Sequence, residues 1–203
     1  MKLLHIDSSI LGGNSVSRKV SAGIVEALKA DHPDMDVTYR DLGAEPISHL
    51  SGAYLAGQSA DVKHDQALQE DLDLGGRALA EFLAADIVVL GVPMYNFAVP
   101  SQLKAWVDRV LVAGKTFRYT ESGAVGLVHG KRIVLAVSRG GKYEGTPAKA
   151  VEHQESWLKG VFNFMGLEDV EVIRAEGVAR GPEVREASLK AALDAAAALR
   201  RAA

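Results

Sequence analysis

The first place where this chain could do chemistry is the stretch SSILGGNSVSR, residues 8–18, which follows an apolar run and leads into a helical pattern. Its four serines and two glycines offer hydroxyl donors without added charge and a backbone free to turn sharply. Between a strand end and a helix start, where N–H groups lack intrahelical partners, such a loop suits an anion. The pattern is not G-x-G-x-x-G, so it does not support a dinucleotide fingerprint, and it lacks the Gly-Lys-Ser/Thr ending of a Walker A loop. Gly141-Lys142-Tyr143 resembles that ending only superficially. A hydroxyl-lined loop without lysine suits a terminal monophosphate better than a triphosphate with Mg²⁺. The same serines would also make an ordinary helix cap, and the loop alone does not decide between the two readings.

Two further stretches bear on the choice. Pro93-Met94-Tyr95-Asn96-Phe97, followed by Ala98-Val99-Pro100, puts thioether and aromatic groups after an apolar run, and Ser138-Arg139-Gly140-Gly141 puts paired glycines after another. Aromatic and thioether groups supply dispersion contacts to a flat ring, and glycines let main-chain N–H groups approach its polar edge. Taken singly, Met94 and Phe97 fit core packing and Gly140-Gly141 fits a turn. Together the three loops match a heteroaromatic ring joined to a phosphate, provided the fold brings them to one place.

The elements that would do so can be read from the apolar pattern. Five runs, residues 2–7, 36–40, 86–92, 132–137 and 170–174, are expected strands. Ile87-Val88-Val89-Leu90 and Ile133-Val134-Leu135-Ala136-Val137 are continuous rather than alternating, as in strands buried on both faces of a parallel sheet. Helical stripes fall between them. One is Val16, Val20, Ile24, Ala27 and Leu28; another is Leu103, Trp106, Val107, Val110 and Leu111, with Pro100 near its start. A third is Val151, Leu158, Val161, Phe162 and Met165. A fourth, Leu68, Leu72, Leu79, Phe82 and Leu83, is weakened by Gly75-Gly76, and the alanine-rich residues 182–203 form a last helix. Residues 43–63 read as a long irregular connection. Strand and helix alternate, which predicts one doubly wound α/β domain over residues 1–203 with helices on both faces. Five parallel strands suit the flavodoxin-like order 2-1-3-4-5, in which strands one, three and four are neighbours and ligands bind beyond their carboxyl ends.

Bulk properties narrow the function classes. A formal net charge of −3 over 203 residues argues against a nucleic-acid footprint and against the strong acidity of a dedicated electron-carrier surface. There is no cysteine, which removes disulfides, thiolate metal sites and cysteine nucleophiles and is compatible with a reducing cytoplasm. None of the six histidines falls in a metal-ligand pattern, so no metal is expected. His5 and Asp7 interrupt the first apolar run too early for a signal peptide, and no stretch is long and apolar enough for a membrane span.

The chain resembles the FMN-dependent NADH-azoreductases, a family of flavodoxin-like azo and quinone reductases. The resemblance is carried by HIDSSILGGNSVSR, by the long and specific PMYNFAVPSQLKAWVDRVLVAGKTFRYTESG, by SRGG and by FMGLEDV. It implies one non-covalent FMN per subunit, its phosphate held by Ser9, Ser15, Ser17 and the Val16 N–H. Met94, Tyr95, Asn96 and Phe97, entered through Pro93, would lie along the isoalloxazine ring. Ser138, Arg139, Gly140 and Gly141 would meet its pyrimidine edge, and Tyr119 and Phe164 would stand near the substrate pocket. It implies a cytoplasmic homodimer in which NADH passes hydride to flavin N5 and leaves before a quinone or azo compound takes its place, a ping-pong scheme. No side chain is assigned a catalytic role, because the flavin carries the chemistry; the Gly140-Gly141 N–H groups would stabilise charge on the reduced ring. Residues 43–63 and Phe117-Arg118-Tyr119 are candidates for a wall lent by the partner subunit. The alternatives are a flavodoxin-type electron carrier without its own substrate, disfavoured by the near-neutral charge, and a regulatory module binding a phosphorylated ligand.

Overall fold

The computed structural model describes residues 1–59 and 61–199. Its centre is a five-stranded parallel sheet of β1 (Lys2–Asp7), β2 (Asp36–Asp41), β3 (Ile87–Pro93), β6 (Arg132–Arg139) and β7 (Val170–Glu176), in the order β2-β1-β3-β6-β7. Counted along this sheet, that is the expected 2-1-3-4-5. Between β3 and β6 the chain adds a separate two-stranded ribbon, β4 (Phe117–Thr120) and β5 (Gly123–Gly126), paired antiparallel.

The unbroken apolar runs have the anticipated cause. Val88, Leu90 and Val92 of β3, with Ile133, Leu135 and Val137 of β6, enter one core. The alternate residues Val89, Val134 and Ala136 enter a second core on the opposite face. The first core is covered by α3 (Gln66–Ala84), α4 (Ser101–Val110) and α5 (Glu155–Phe164), the second by α1 (Val16–Asp31) and α6 (Pro182–Ala198). Within the first, Trp106 meets Phe82 edge-on at 5.8 Å. Val151, expected in the α5 stripe, is exposed in a 3₁₀ turn ahead of the helix. Residues 200–203 of the expected last helix lie outside the described residues.

One reading of the connections is corrected. The stretch 43–63 is not wholly irregular: it contains α2 (Gly52–Gly57), capped by Ser51, whose hydroxyl accepts from the Tyr54 N–H at 3.1 Å. Gly75-Gly76 does not interrupt α3, which runs through it. A Cβ on Gly75 would lie 2.1 Å from the Tyr54 hydroxyl, so this glycine is the notch into which α2 docks. Arg109 closes the other side, with its guanidinium 3.6 Å over the Tyr54 ring and an N–H donated to the Ser48 carbonyl at 2.8 Å.

Candidate functional site

Beyond the carboxyl ends of β1, β3 and β6 the three predicted loops are bonded to one another. Ser8 anchors the first to β3: its N–H and hydroxyl both donate to the Gly91 carbonyl, at 3.1 and 2.8 Å. Ser9, fully buried, has its hydroxyl 3.3 Å from that of Tyr95, which also accepts from the Ile10 N–H at 3.2 Å. A 3₁₀ turn over Gly12–Asn14 follows, with Gly12 at φ +51°. Ser15 then caps α1, its hydroxyl accepting from the Arg18 N–H at 3.3 Å and standing 3.1 Å from the Ser17 hydroxyl. Ser15, Val16 and Ser17 are buried, and the first turn of α1 holds no acidic side chain. Hydroxyl dipoles and the positive end of a helix thus meet at one spot, with no carboxylate in that turn to repel an anion.

The second loop is a tight reversal. Tyr95 and Ala98 exchange N–H to carbonyl bonds at 3.0 and 3.1 Å, and the two residues between them, Asn96 and Phe97, have φ of +48° and +71°. Among the described residues these are the two non-glycine positions with positive φ. Asparagine tolerates that region, whereas phenylalanine is strained in it by roughly 1–2 kcal/mol. The Phe97 ring is nonetheless half exposed, at 51%. The conformation is enforced from outside as well, since the His153 N–H donates to the Phe97 carbonyl at 2.9 Å. A strained, exposed aromatic residue at a strand end is an observed outlier of the kind that gathers at binding sites. Beside it opens a cavity of about 650 Å³ lined by Val99, His153 and Trp157 among others.

The third loop is joined to the second where the Met94 N–H donates to the Ser138 carbonyl at 2.8 Å. Its carbonyls at Arg139, Gly140 and Gly141 accept from the N–H groups of Val178, Ala179 and Gly177 at 3.1, 3.2 and 2.9 Å. The N–H groups of Gly140 and Gly141 take no part in that docking. One side of the loop is therefore fixed to the chain after β7, and donors remain for the other.

At Arg139 the main chain, not the side chain, stays at this loop. Its side chain is fully buried and turns away from the crevice into a polar cluster, donating to Gln154 at 2.9 Å, Glu155 at 3.1 Å and Glu176 at 2.8 Å. Only its main chain faces the loop. Gln154 carries this cluster back to β3 by donating to the Val92 carbonyl at 2.8 Å. Burial opposes ionisation of Glu155, but bonds from Arg174 and Lys159 outweigh it and bring the carboxyl down to about 2. No local signal in the sequence links Gln154 to Val92, 62 positions away.

Tyr119 and Phe164 form a separate group. Phe117 lies 5.5 Å from the Tyr119 ring and 4.8 Å from the Phe164 ring. Tyr119 is 75% exposed, and none of the hydrogen bonds or ring contacts among the described residues joins this group to the three loops. Sequence reasoning also passed over the residues beneath the serine loop. Asp7 accepts from Ser21 at 2.8 Å and from Tyr39 at 3.1 Å. Burial, with the Asp7 charge beside it, pushes the Tyr39 hydroxyl up to about 12. Asp7 stands against the glycine of β3, where a Cβ on Gly91 would be 2.0 Å from its oxygen.

As a whole, the crevice offers hydroxyl and helix-end donors at one end, a strained aromatic turn along it, and main-chain donors on the third side. That combination suits a planar ring system carrying a phosphate.

Known proteins resemble this chain along its whole length. A family model described as a flavodoxin-like fold matches residues 1–199. An FMN-dependent NADH:quinone oxidoreductase of Methylorubrum populi is 60% identical over 203 residues, all of both chains. One from Rhizobium meliloti is 54% identical over 92% of this chain and 90% of its own. Among solved structures, azoreductase AzrA superposes with a TM-score of 0.89 at 28% identity, covering 98% of this chain and 99% of its own. An FMN-dependent NADH-azoreductase from Bacillus anthracis in complex with FMN gives 0.86 at 29% identity, with 98% and 99% coverage.

Proposed function

Because this chain belongs to the FMN-dependent NADH:quinone oxidoreductases of flavodoxin-like fold, we propose that the crevice above β1, β3 and β6 is its FMN site and that quinones and aromatic azo compounds are its acceptors. The chain is an FMN-dependent oxidoreductase with NADH as donor. The observation that carries the site assignment is the bonding of three strand-end loops into one crevice, through Ser9 with Tyr95 and Met94 with Ser138.

The residues fit the cofactor. Ser9, Ser15, Ser17 and the Val16 N–H hold the phosphate, where buried hydroxyls and a helix start with no acidic residue in its first turn favour a dianion. Pro93 and Met94 lead the chain to Tyr95, Asn96 and Phe97, which provide the ring surface. Ser138, the main chain of Arg139, Gly140 and Gly141 provide the polar edge. Bound FMN supplies two-electron hydride chemistry between NADH and the acceptor. The protein's part is to hold the phosphate, keep the ring against the Asn96-Phe97 turn and aim the Gly140 and Gly141 N–H groups, whose fixed dipoles stabilise negative charge with little reorganisation. No side chain is assigned as proton donor.

We place the site in a cytoplasmic homodimer. The exposed Tyr119 and Phe164 have no role in their own subunit's crevice, and the cavity beside Phe97 is open; the partner's copy of that aromatic group would wall it. Residues 1–203 act as one domain in this scheme. Donor and acceptor share one ring face, which predicts parallel lines in double-reciprocal plots.

The test is the visible spectrum of purified protein reconstituted with FMN, taken before and after anaerobic NADH, then with a soluble naphthoquinone or an azo dye. Bleaching within seconds and recovery on adding the acceptor are expected. A protein that refuses FMN overturns the reading, and one that binds FMN but is not bleached by NADH is an electron carrier instead.

A further inference from the structure

Arg18 is partly buried, and its bonds surround the serine loop without entering it. Its main-chain N–H donates to the Ser15 hydroxyl at 3.3 Å. Its guanidinium donates twice to the Ser9 carbonyl, from Nε at 3.3 Å and Nη2 at 2.7 Å. The remaining donors reach Asp41 at 2.6 and 2.5 Å, and Tyr39 at 3.1 Å. Asp41 is itself held, accepting from the Gly43 and Ala44 N–H groups at 2.9 and 3.1 Å. Hydrogen bonding from Arg18 keeps the Asp41 carboxyl below the usual carboxylate range, so the pair is charged and mutually neutralised at pH 7. The approach needs a glycine, because a Cβ on Gly43 would be 2.5 Å from the Ser9 carbonyl oxygen and 3.0 Å from Arg18 Nη2.

We propose that Arg18 is a positioning residue which draws the Ser9 carbonyl out of the serine loop and thereby sets this protein's preference for phosphorylated over unphosphorylated flavin. A loop that binds an anion must present donors and turn its carbonyls away, since a carbonyl oxygen aimed at a phosphate repels it. The Arg18 side chain fixes the Ser9 carbonyl outward, while the main-chain N–H at the same position, which every variant keeps, holds the Ser15 hydroxyl. On the far side Arg185 Nη2 donates to the Asn14 carbonyl, so a second carbonyl of the turn is also held outward by a guanidinium. Because Asp41 neutralises Arg18, its effect on the phosphate comes through geometry rather than through its own charge. A lysine has the charge but no fork able to serve Ser9 and Asp41 together.

The inference rests on the loop being the flavin-phosphate site, and the experiment separates the two. Apoprotein affinities for FMN and for riboflavin are measured by flavin fluorescence quenching for the wild type, Arg18→Met, Arg18→Lys and Asp41→Asn, with circular dichroism to confirm folding. The wild type should prefer FMN strongly. Arg18→Met should weaken FMN binding by about 10–100-fold, the usual range for losing a charge-assisted bond, while changing riboflavin affinity by less than about 3-fold, within the scatter expected for an untouched contact. Arg18→Lys should not restore FMN binding, and Asp41→Asn, which decides the matter if Arg18→Met fails to fold, should lose FMN selectively. Equal weakening of both flavins, or full rescue by lysine, overturns the role given to Arg18. A wild type that binds riboflavin as tightly as FMN overturns the loop assignment itself.

Discussion

Replacing Phe97 with glycine and, separately, with alanine tests whether the turn is strained for the sake of the ring it carries. At an ordinary position alanine is the more stable of the two by roughly 0.5–1 kcal/mol, because glycine loses more freedom on folding. At φ +71° a Cβ brings a steric penalty of roughly 1–2 kcal/mol, so the order should reverse. Both variants lose the same side-chain contacts, which are modest for a ring 51% exposed, and their difference isolates the backbone. Glycine should be the more stable by up to about 1.5 kcal/mol, which in a chain of this size is a melting temperature higher by up to about 6 °C. Thermal and urea unfolding of the two FMN-free proteins provide the measurement. Their quinone reductase activities should fall together, since each lacks the aromatic face. If Phe97→Ala is as stable as Phe97→Gly, the turn is not strained and the argument from Phe97 to a functional turn fails. If both variants keep wild-type turnover, the ring is not part of the site.

Glu155 gives a pH-dependent prediction. Its carboxyl lies near 2 when folded and near 4.3 when unfolded. A depressed folded value contributes stability above the unfolded value and loses it as pH falls toward 2, a contribution of about 3 kcal/mol at neutral pH. Urea unfolding of the wild type and Glu155→Gln should therefore differ widely at pH 7 and converge between pH 5 and pH 2; a gap independent of pH would remove the ion pairs as its source. Gly75→Ala should destabilise the fold by about 1–3 kcal/mol through overpacking against Tyr54, seen as a lower urea midpoint at unchanged slope. A midpoint equal to the wild type's would show that Gly75 is not the notch for α2.

How much of this was legible beforehand depends on whether the cause was local. The runs Ile87–Leu90 and Ile133–Val137 read correctly as central strands because burial on both faces removes polar residues from every position, and that can be seen in one short window. The three loops could be found because each sits where such a run stops. The ribbon of β4 and β5 escaped notice because its strands are four residues each and half of the second is glycine. The helix α2 escaped because its packing partner, Gly75, lies in another helix. Arg139 shows the limit most sharply. Its place beside the glycines was readable, but the direction of its side chain was decided by Glu155, Gln154 and Glu176, residues 15 to 37 positions later in the chain.

The same case explains why so few charged side chains are assigned to this site. Arg139 and Arg18 spend their donors on carboxylates, amides or carbonyls that belong to the scaffold, and Arg185 gives one to the Asn14 carbonyl. A free guanidinium in the crevice would bind anions of many kinds and would bring a rotamer-rich side chain against the ring. Tied into the scaffold, Arg18 and Arg185 hold carbonyls of the serine loop, and Arg139 anchors the loop after β6. Under the proposed assignment, the polar contacts left to the ligand are main-chain N–H groups and hydroxyls, donors of fixed position and no net charge, and these would favour the preorganised binding of a cofactor whose charge changes during the reaction. A charge introduced among them, as in Ser138→Lys, would be felt by the ring in one oxidation state more than in the other. The quantity that would register the design is therefore the flavin's reduction potential, ahead of its affinity.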